Sequence, residues 1–327
     1  MLQLKYLFNN EDLAEMILKN WSFDEESKEM FTYYRISSNA IYPYIDKGMA
    51  QILRFAPTAE KMRSNILAEL DFITYLLGKE YGVLESIPSK GGEKLVEVST
   101  PWGEYYASAF KRVPGKQISN TDFSDEIVFS YGKALGRLHY LSSQYTPGNF
   151  KRWSYSDVLD WMEEVVKDNP DELAAKKEMK LLRSYFASLP KSTENYGLIH
   201  YDFEYDNVFY DENTKSCYVI DFDDAMYHWY GMDIEQALDS LQDYTPIELF
   251  QQKKQSFLDG YLTEYEYSND LETFLPAFRR FANLYGYVRI LKSTEEKWDH
   301  EPEWLTNLRE KLTAALKAKA TSFGQPI

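Results

Sequence analysis

One cysteine, four histidines and a shortage of positive charge set the first limits on this 327-residue chain. A single thiol, Cys217, cannot close an intramolecular disulfide and excludes a cysteine-rich zinc centre. It lies in the apolar run Cys217-Tyr218-Val219-Ile220 and reads as a small buried hydrophobe. The four histidines are not spaced to complete a zinc site, which argues against hydrolysis by a metal held on His200 and Asp202. No stretch approaches the ~18 uncharged apolar residues of a membrane span. The run Met1-Leu2-Gln3-Leu4-Lys5-Tyr6-Leu7-Phe8 lacks the apolar core and small-residue cleavage site of a secretory signal, so a cytoplasmic protein is expected. Lysine and arginine number 36 against 52 aspartate and glutamate, a net charge of −16. Charge of that sign repels phosphate backbones and anionic lipid, so neither nucleic acid nor membrane is expected as a partner. A G-x-G-x-x-G phosphate loop is missing as well.

What is present suits a folded enzyme of about two domains. Apolar residues make up 44% of the chain, and 27 Tyr, 19 Phe and 7 Trp supply bulky core material. Asn10 can cap a helix starting at Glu11. Three strand-like runs follow, at 31–36, 41–45 and 50–55, with Asp46-Lys47-Gly48 as the turn between the last two. Pro57-Thr58 then opens a long helix to about Lys79, with apolar residues at Met62, Ile66, Leu70, Ile73 and Leu77. Two more strands are expected near 95–99 and 105–110. The segment 111–120 holds Pro114-Gly115 and serves as the linker. Beyond it helices are expected at 156–167, 171–188, 231–243, 247–264, 271–291 and 303–318, with Val128, Tyr131, Leu135 and Leu138 marking one more. A β-hairpin interrupts them: the runs 207–210 and 217–220 flank the turn Asp211-Glu212-Asn213-Thr214.

The chemistry gathers on that hairpin. His200-Tyr201-Asp202 and Asn207 precede it, and Asp221-Phe222-Asp223-Asp224 follows. A hairpin brings its ends together, so Asp202, Asn207 and Asp221 should converge. Three hard oxygen donors suit Mg²⁺, which takes one or two carboxylates and completes its shell with water and substrate phosphates. Phosphoryl transfer needs such a metal and a carboxylate to receive the acceptor's proton, and protein kinases carry H-R-D-x-x-x-x-N followed by D-F-G for this purpose. The Asp202-to-Asn207 spacing is the same.

On these residues the chain resembles the aminoglycoside phosphotransferase and choline kinase-like superfamily. That superfamily's signature reads roughly HGDxxxxN, a hairpin, then IDFxD. The helix Gly132-Lys133-Ala134-Leu135-Gly136-Arg137-Leu138-His139 is similar to its LGRLH pattern. The resemblance implies an α+β, bilobal, protein kinase-like fold: a small antiparallel-sheet lobe of five strands with one long helix, and a larger, mainly helical lobe. Residues 1–110 would form the nucleotide-binding lobe, 111–120 the hinge, and 121–327 the catalytic and acceptor-binding lobe. It implies Asp202 as the catalytic aspartate, Asn207 and Asp221 as Mg²⁺ ligands, and His200 as a structural support. Ser37, Ser38 and Asn39 would occupy the phosphate-loop position. Arg54 would stand where a phosphate-binding lysine is usual, with Glu69 as its ion-pair partner. Phe110, Lys111 and Val113 would form the adenine hinge. Tyr201 replaces the usual glycine.

The expected activity is ATP- and Mg²⁺-dependent transfer of the γ-phosphate to a hydroxyl of a small molecule. GTP is left open as the donor, and the oligomeric state is undefined. The alternatives are a protein serine/threonine kinase and a non-catalytic nucleotide-binding scaffold. Twelve acidic residues between Glu194 and Asp239, against Lys215 as the one lysine or arginine there, point to a cationic acceptor such as an aminoglycoside, aminated sugar or amino alcohol. Glu204, Asp206, Asp223 and Asp224 are the expected acidic wall. His228, Trp298 and Trp304 are further candidates for lining the acceptor site.

Overall fold

The computed structural model describes residues 1–266 and 271–327. Asn10 caps α1 (Glu11–Leu18) as expected, its side chain accepting the Leu13 N–H at 2.9 Å. The run 31–36 is largely not a strand. It continues α2 (Ser27–Met30) as a 3₁₀ turn at Phe31–Tyr33, and only β1 (Arg35–Ile36) pairs. Thr32 Oγ1 donates to the Glu29 carbonyl, a helical contact that alternation of apolar residues cannot reveal. β2 (Ala40–Asp46) and β3 (Met49–Pro57) form the expected hairpin. Lys47 and Gly48, with φ of 52° and 73°, make its tight turn.

The long helix α3 (Arg63–Gly78) starts later than Pro57-Thr58 suggests. Pro57 still belongs to β3, opposite Tyr105, and Lys61 is extended so that its ammonium reaches Asp223. β4 (Ser86–Ile87), β5 (Val96–Thr100) and β6 (Gly103–Lys111) complete the sheet. Its order is β1-β2-β3-β6, with β4 and β5 both on the outer edge of β6, all antiparallel. Six strands stand where five are expected; the extra one is the two-residue β4. Leu53, Phe55, Tyr42 and Ala107 bury one sheet face against Trp21 and Phe31.

Within 111–120 the chain forms β7 (Lys116–Gln117). Then follow α4 (Asp125–Ser142), α5 (Tyr155–Val166), α6 (Leu173–Ser188), β8 (Tyr196–Ile199), β9 (Val208–Asp211), β10 (Ser216–Val219), β11 (Met226–Trp229), α7 (Gly231–Tyr244), α8 (Ile247–Leu262), α9 (Leu271–Ser293) and α10 (Glu303–Lys319). The helices fall within a few residues of expectation, and β9–β10 is the expected hairpin. The β8–β11 pair is not foreseen, because each strand is four residues long and its partner lies some thirty residues away. α4 and α8 touch backbone to backbone: a Cβ on Gly132 would collide with the Phe257 carbonyl, and one on Gly260 with that of Phe129. That close approach seats His139, on α4, against Tyr261 of α8 and Asp233 of α7. The result is a bilobal α+β fold, a sheet lobe joined to a helical lobe.

Candidate active site

The β9–β10 register pairs Val208 with Val219, and the Ile220 N–H donates to the Asn207 carbonyl at 2.9 Å. The ladder therefore runs to the hairpin's open end and places Asn207 beside Asp221. Asn207 Nδ2 donates to the Asp202 carboxylate at 2.8 Å and to its carbonyl at 2.9 Å. The three expected residues thus share one cavity of about 220 Å³, lined also by Arg35, Ser37, Ser38, Glu204, Asp206, Asp223, Asp224 and Arg289.

His200 sits beneath them as a bridge. Its Nδ1 accepts the Asp202 N–H at 3.2 Å and its Nε2 donates to the Ile220 carbonyl at 2.8 Å, while Phe203 and Phe222 flank the ring. Asp233, completely buried, accepts the N–H groups of His200 and Tyr201 at 2.9 and 2.7 Å and contacts His139 at 3.1 Å. Tyr201 has φ of 68°, so the left-handed conformation is kept although the side chain is not glycine. Its ring is buried against Phe281 and Tyr285.

The chemistry of Asp221, with Asn207 lining the same cavity, suits a cation. Asp221 Oδ1 is buried with no hydrogen-bond partner, and such an atom is costly unless something positive meets it. Burial, and then the Asp223 charge, push the Asp221 carboxyl up to about 7. The Asn207 amide nitrogen is spent on Asp202, which leaves its carbonyl oxygen for a metal. Among the described residues no group of three His, Cys, Asp or Glu side chains could hold an ion by itself. A carboxylate and an amide oxygen suit an ion that arrives with phosphate oxygens of its own.

The acidic wall is not what the sequence suggests. Asp223 is paired with Lys61 at 2.5 Å, and Asp224 with Arg289 at 2.5 Å. Burial alone would raise both carboxyls, but Lys61 and Arg54 hold Asp223 well below the usual range and Arg289 holds Asp224 down. Asp206 meets Arg35 at 3.4 Å. Glu204 has its carboxyl pushed up to about 7 by burial and by Asp202. Burial, then Asp224, raises Asp202.

Arg54 and Glu69 form a buried two-pronged pair, 2.7 and 2.8 Å, with the guanidinium 4.8 Å above the Phe110 ring. Asn39 lies beside Arg54 in a cleft of about 10 Å³. Phe110, Lys111 and Val113 do not line the Asp202 cavity: Phe110 and Val113 are core, and Lys111 binds Glu85. His228 is buried among Tyr155, Phe186, Trp229 and Phe281, away from the cavity. Trp298 and Trp304 pack against Phe8 instead, the first tilted and the second edge-on.

A second cavity of about 520 Å³ adjoins the first and shares Ser38, Asp223, Asp224 and Arg289 with it. Trp153, Trp161 and Tyr285 form its aromatic walls; Lys61, Arg152 and Lys292 are its other cations. Arg152 is fixed by the carbonyls of Asn65, Asp223 and Ala225. Sequence reasoning misses Lys61, Arg152 and Arg289, since each lies far along the chain from the residues it meets.

A cavity that brings a partnerless buried carboxylate oxygen, an asparagine and a second aspartate together is an arrangement suited to phosphoryl transfer. The chain matches the phosphotransferase enzyme family over residues 32–274; it belongs to that family and is a kinase acting on the hydroxyl of a small molecule. It is 22% identical to amicoumacin kinase of Bacillus subtilis (strain 168), over 98% of this chain and 97% of that one. Two solved structures share the fold. One is amicoumacin kinase hAmiN in complex with AMP-PNP, Ca²⁺ and Ami, with a TM-score of 0.77, 20% identity, and 98% and 97% of the two chains covered. The other is a microcompartment-associated aminopropanol kinase, with a TM-score of 0.70, 21% identity, and 96% and 97% covered. No helix among the described residues is long and apolar enough to cross a membrane.

Proposed function

We propose that this kinase uses ATP with Mg²⁺ and phosphorylates an amine-bearing small alcohol. The carrying observation is the joint placement of Asp202, Asn207 and the partnerless Oδ1 of Asp221 at one hairpin end. Asn207 and Asp221 hold the Mg²⁺, which when bound neutralises the donor's phosphates. Asp202 receives the acceptor hydroxyl's proton as the new O–P bond forms. Ser37 and Ser38 cover the phosphates, and the adenine lies toward the 111–120 hinge between the lobes 1–110 and 121–327. The acceptor lies in the aromatic-walled chamber and reaches past the shared wall of Ser38, Asp223, Asp224 and Arg289 into the Asp202 cavity, where its hydroxyl and its amine meet Asp202 and Glu204.

The amine follows from charge. Asp223 and Asp224 already have cations, whereas among the described residues no ion pair is made by Asp202 or Glu204. An ammonium on the acceptor meets those two carboxylates. The kinase of aminopropanol that shares this fold acts on such a molecule. The test is a panel of alcohols with labelled ATP: amino alcohols and aminated sugars should be phosphorylated ahead of neutral and acidic alcohols. Asp202→Asn should lose about 10²–10⁴-fold in turnover while still binding nucleotide. Full turnover in that variant overturns the assignment of Asp202, and preference for neutral or acidic alcohols overturns the amine.

A further inference from the structure

Arg289 is the one cation, among the described residues, that lines both cavities. It projects from α9 of the helical lobe. One guanidinium nitrogen donates to Asp224 at 2.5 Å and the other to the Ser38 hydroxyl, in the sheet lobe, at 2.9 Å. Tyr285, one helical turn away, lies 5.2 Å from its guanidinium carbon. We propose that Arg289 is a catalytic residue: it keeps Asp224 with one nitrogen and exchanges Ser38 for an oxygen of the transferring phosphoryl group with the other. This rests on the nucleotide and acceptor assignments above.

The argument is one of position and supply. The phosphoryl group must pass from the Asp221 cavity toward the chamber, and the wall between them consists of Ser38, Asp223, Asp224 and Arg289. Charge spreads over the three equatorial oxygens during transfer and calls for a fixed cation there. Other cations are committed elsewhere. Arg54 has both terminal nitrogens on Glu69 and borders only the 10 Å³ cleft. Lys61 is held by Asp223 and, like Arg152 and Lys292, lines only the chamber; Arg35 lines only the first cavity. A phosphoryl oxygen is a stronger acceptor for a guanidinium than a serine hydroxyl, so the exchange is favourable and requires no loss of the Asp224 pair. In the step itself the acceptor oxygen bonds to phosphorus, the bond from phosphorus to the β-phosphate bridging oxygen breaks, and its electron pair leaves with ADP. The hydroxyl proton goes to Asp202, and ATP and the alcohol supply every atom.

The test separates γ-phosphate recognition from a role in merely closing the lobes. Binding of ADP and of AMP-PNP, each with Mg²⁺, is measured by calorimetry, and ATP hydrolysis with water as acceptor gives a rate. The variants are Arg289→Lys and the double change Arg289→Met with Asp224→Asn, which avoids leaving a lone buried carboxylate. The double variant should bind ADP within about twofold of the parent, lose about tenfold or more for AMP-PNP, and hydrolyse ATP about a hundredfold more slowly. Arg289→Lys should recover part of the rate. Equal losses for ADP and AMP-PNP, or an unchanged rate, overturn the proposal. A parent enzyme that binds neither nucleotide would overturn the nucleotide assignment, and this proposal with it.

Discussion

The Asp233 carboxylate accepts the Tyr201 N–H at 2.7 Å, and this bond holds Tyr201 in the left-handed conformation that the turn before Asp202 requires. The other carboxylate oxygen takes the His200 N–H at 2.9 Å. One buried side chain from α7 thereby sets the path of the catalytic loop. Asp233→Ala strands two buried N–H donors and should cost about 3–5 kcal/mol in urea unfolding, with activity lost in parallel. Asp233→Asn keeps one acceptor oxygen and should cost less. Equal stability of the alanine variant and the parent would show that the loop is held by something else.

Arg54 and Glu69 are both nearly fully buried, so neither charge tolerates the loss of its partner. Arg54→Met or Glu69→Leu alone should destabilise by about 3–5 kcal/mol, whereas the double change should come much closer to the parent. A double-mutant cycle by denaturant unfolding measures this. Additive single effects would mean that the pair is not coupled.

His228 predicts an acid-sensitive stability. Burial pushes its imidazole down to about 3; Nδ1 accepts the Trp229 N–H, and Nε2 has no partner. The folded state therefore keeps the ring neutral, while the unfolded chain binds a proton near its ordinary value of about 6.5. Between those values the unfolded state holds more protons. Stability from this group is complete above about 6.5 and falls with pH by at most ~1.4 kcal/mol per unit. His139, also lowered by burial, acts in the same direction. Unfolding free energies measured from pH 7 to pH 4 should decline less steeply in His228→Phe than in the parent. Identical slopes would contradict the buried neutral ring.

Legibility in the sequence followed the range of the interaction. The hairpin 207–220, its flanking His200, Asp202, Asn207 and Asp221, and the α-helices of the larger lobe rest on local spacing, and they stand nearly where periodicity puts them. Phe31–Tyr33 misled because an apolar alternation can be satisfied by a 3₁₀ turn when one ring, Phe31, is all that needs burying. β8 and β11 escaped because strand pairing across thirty residues leaves no local mark.

The charge shows the division most clearly. By itself the sequence determined that twelve carboxylates crowd 194–239 with a single lysine, around the hairpin that carries the kinase-like spacing of Asp202 and Asn207. Only the tertiary structure decided which of those carboxylates stay available. Lys61 from before α3, Arg35 from β1, and Arg279 and Arg289 from α9 converge on Asp223, Asp206, Glu235 and Asp224. Asp233 turns inward to backbone amides. Ion pairing depends on separations of a few ångströms, and residues up to 171 positions apart reach them only once helices and strands have packed.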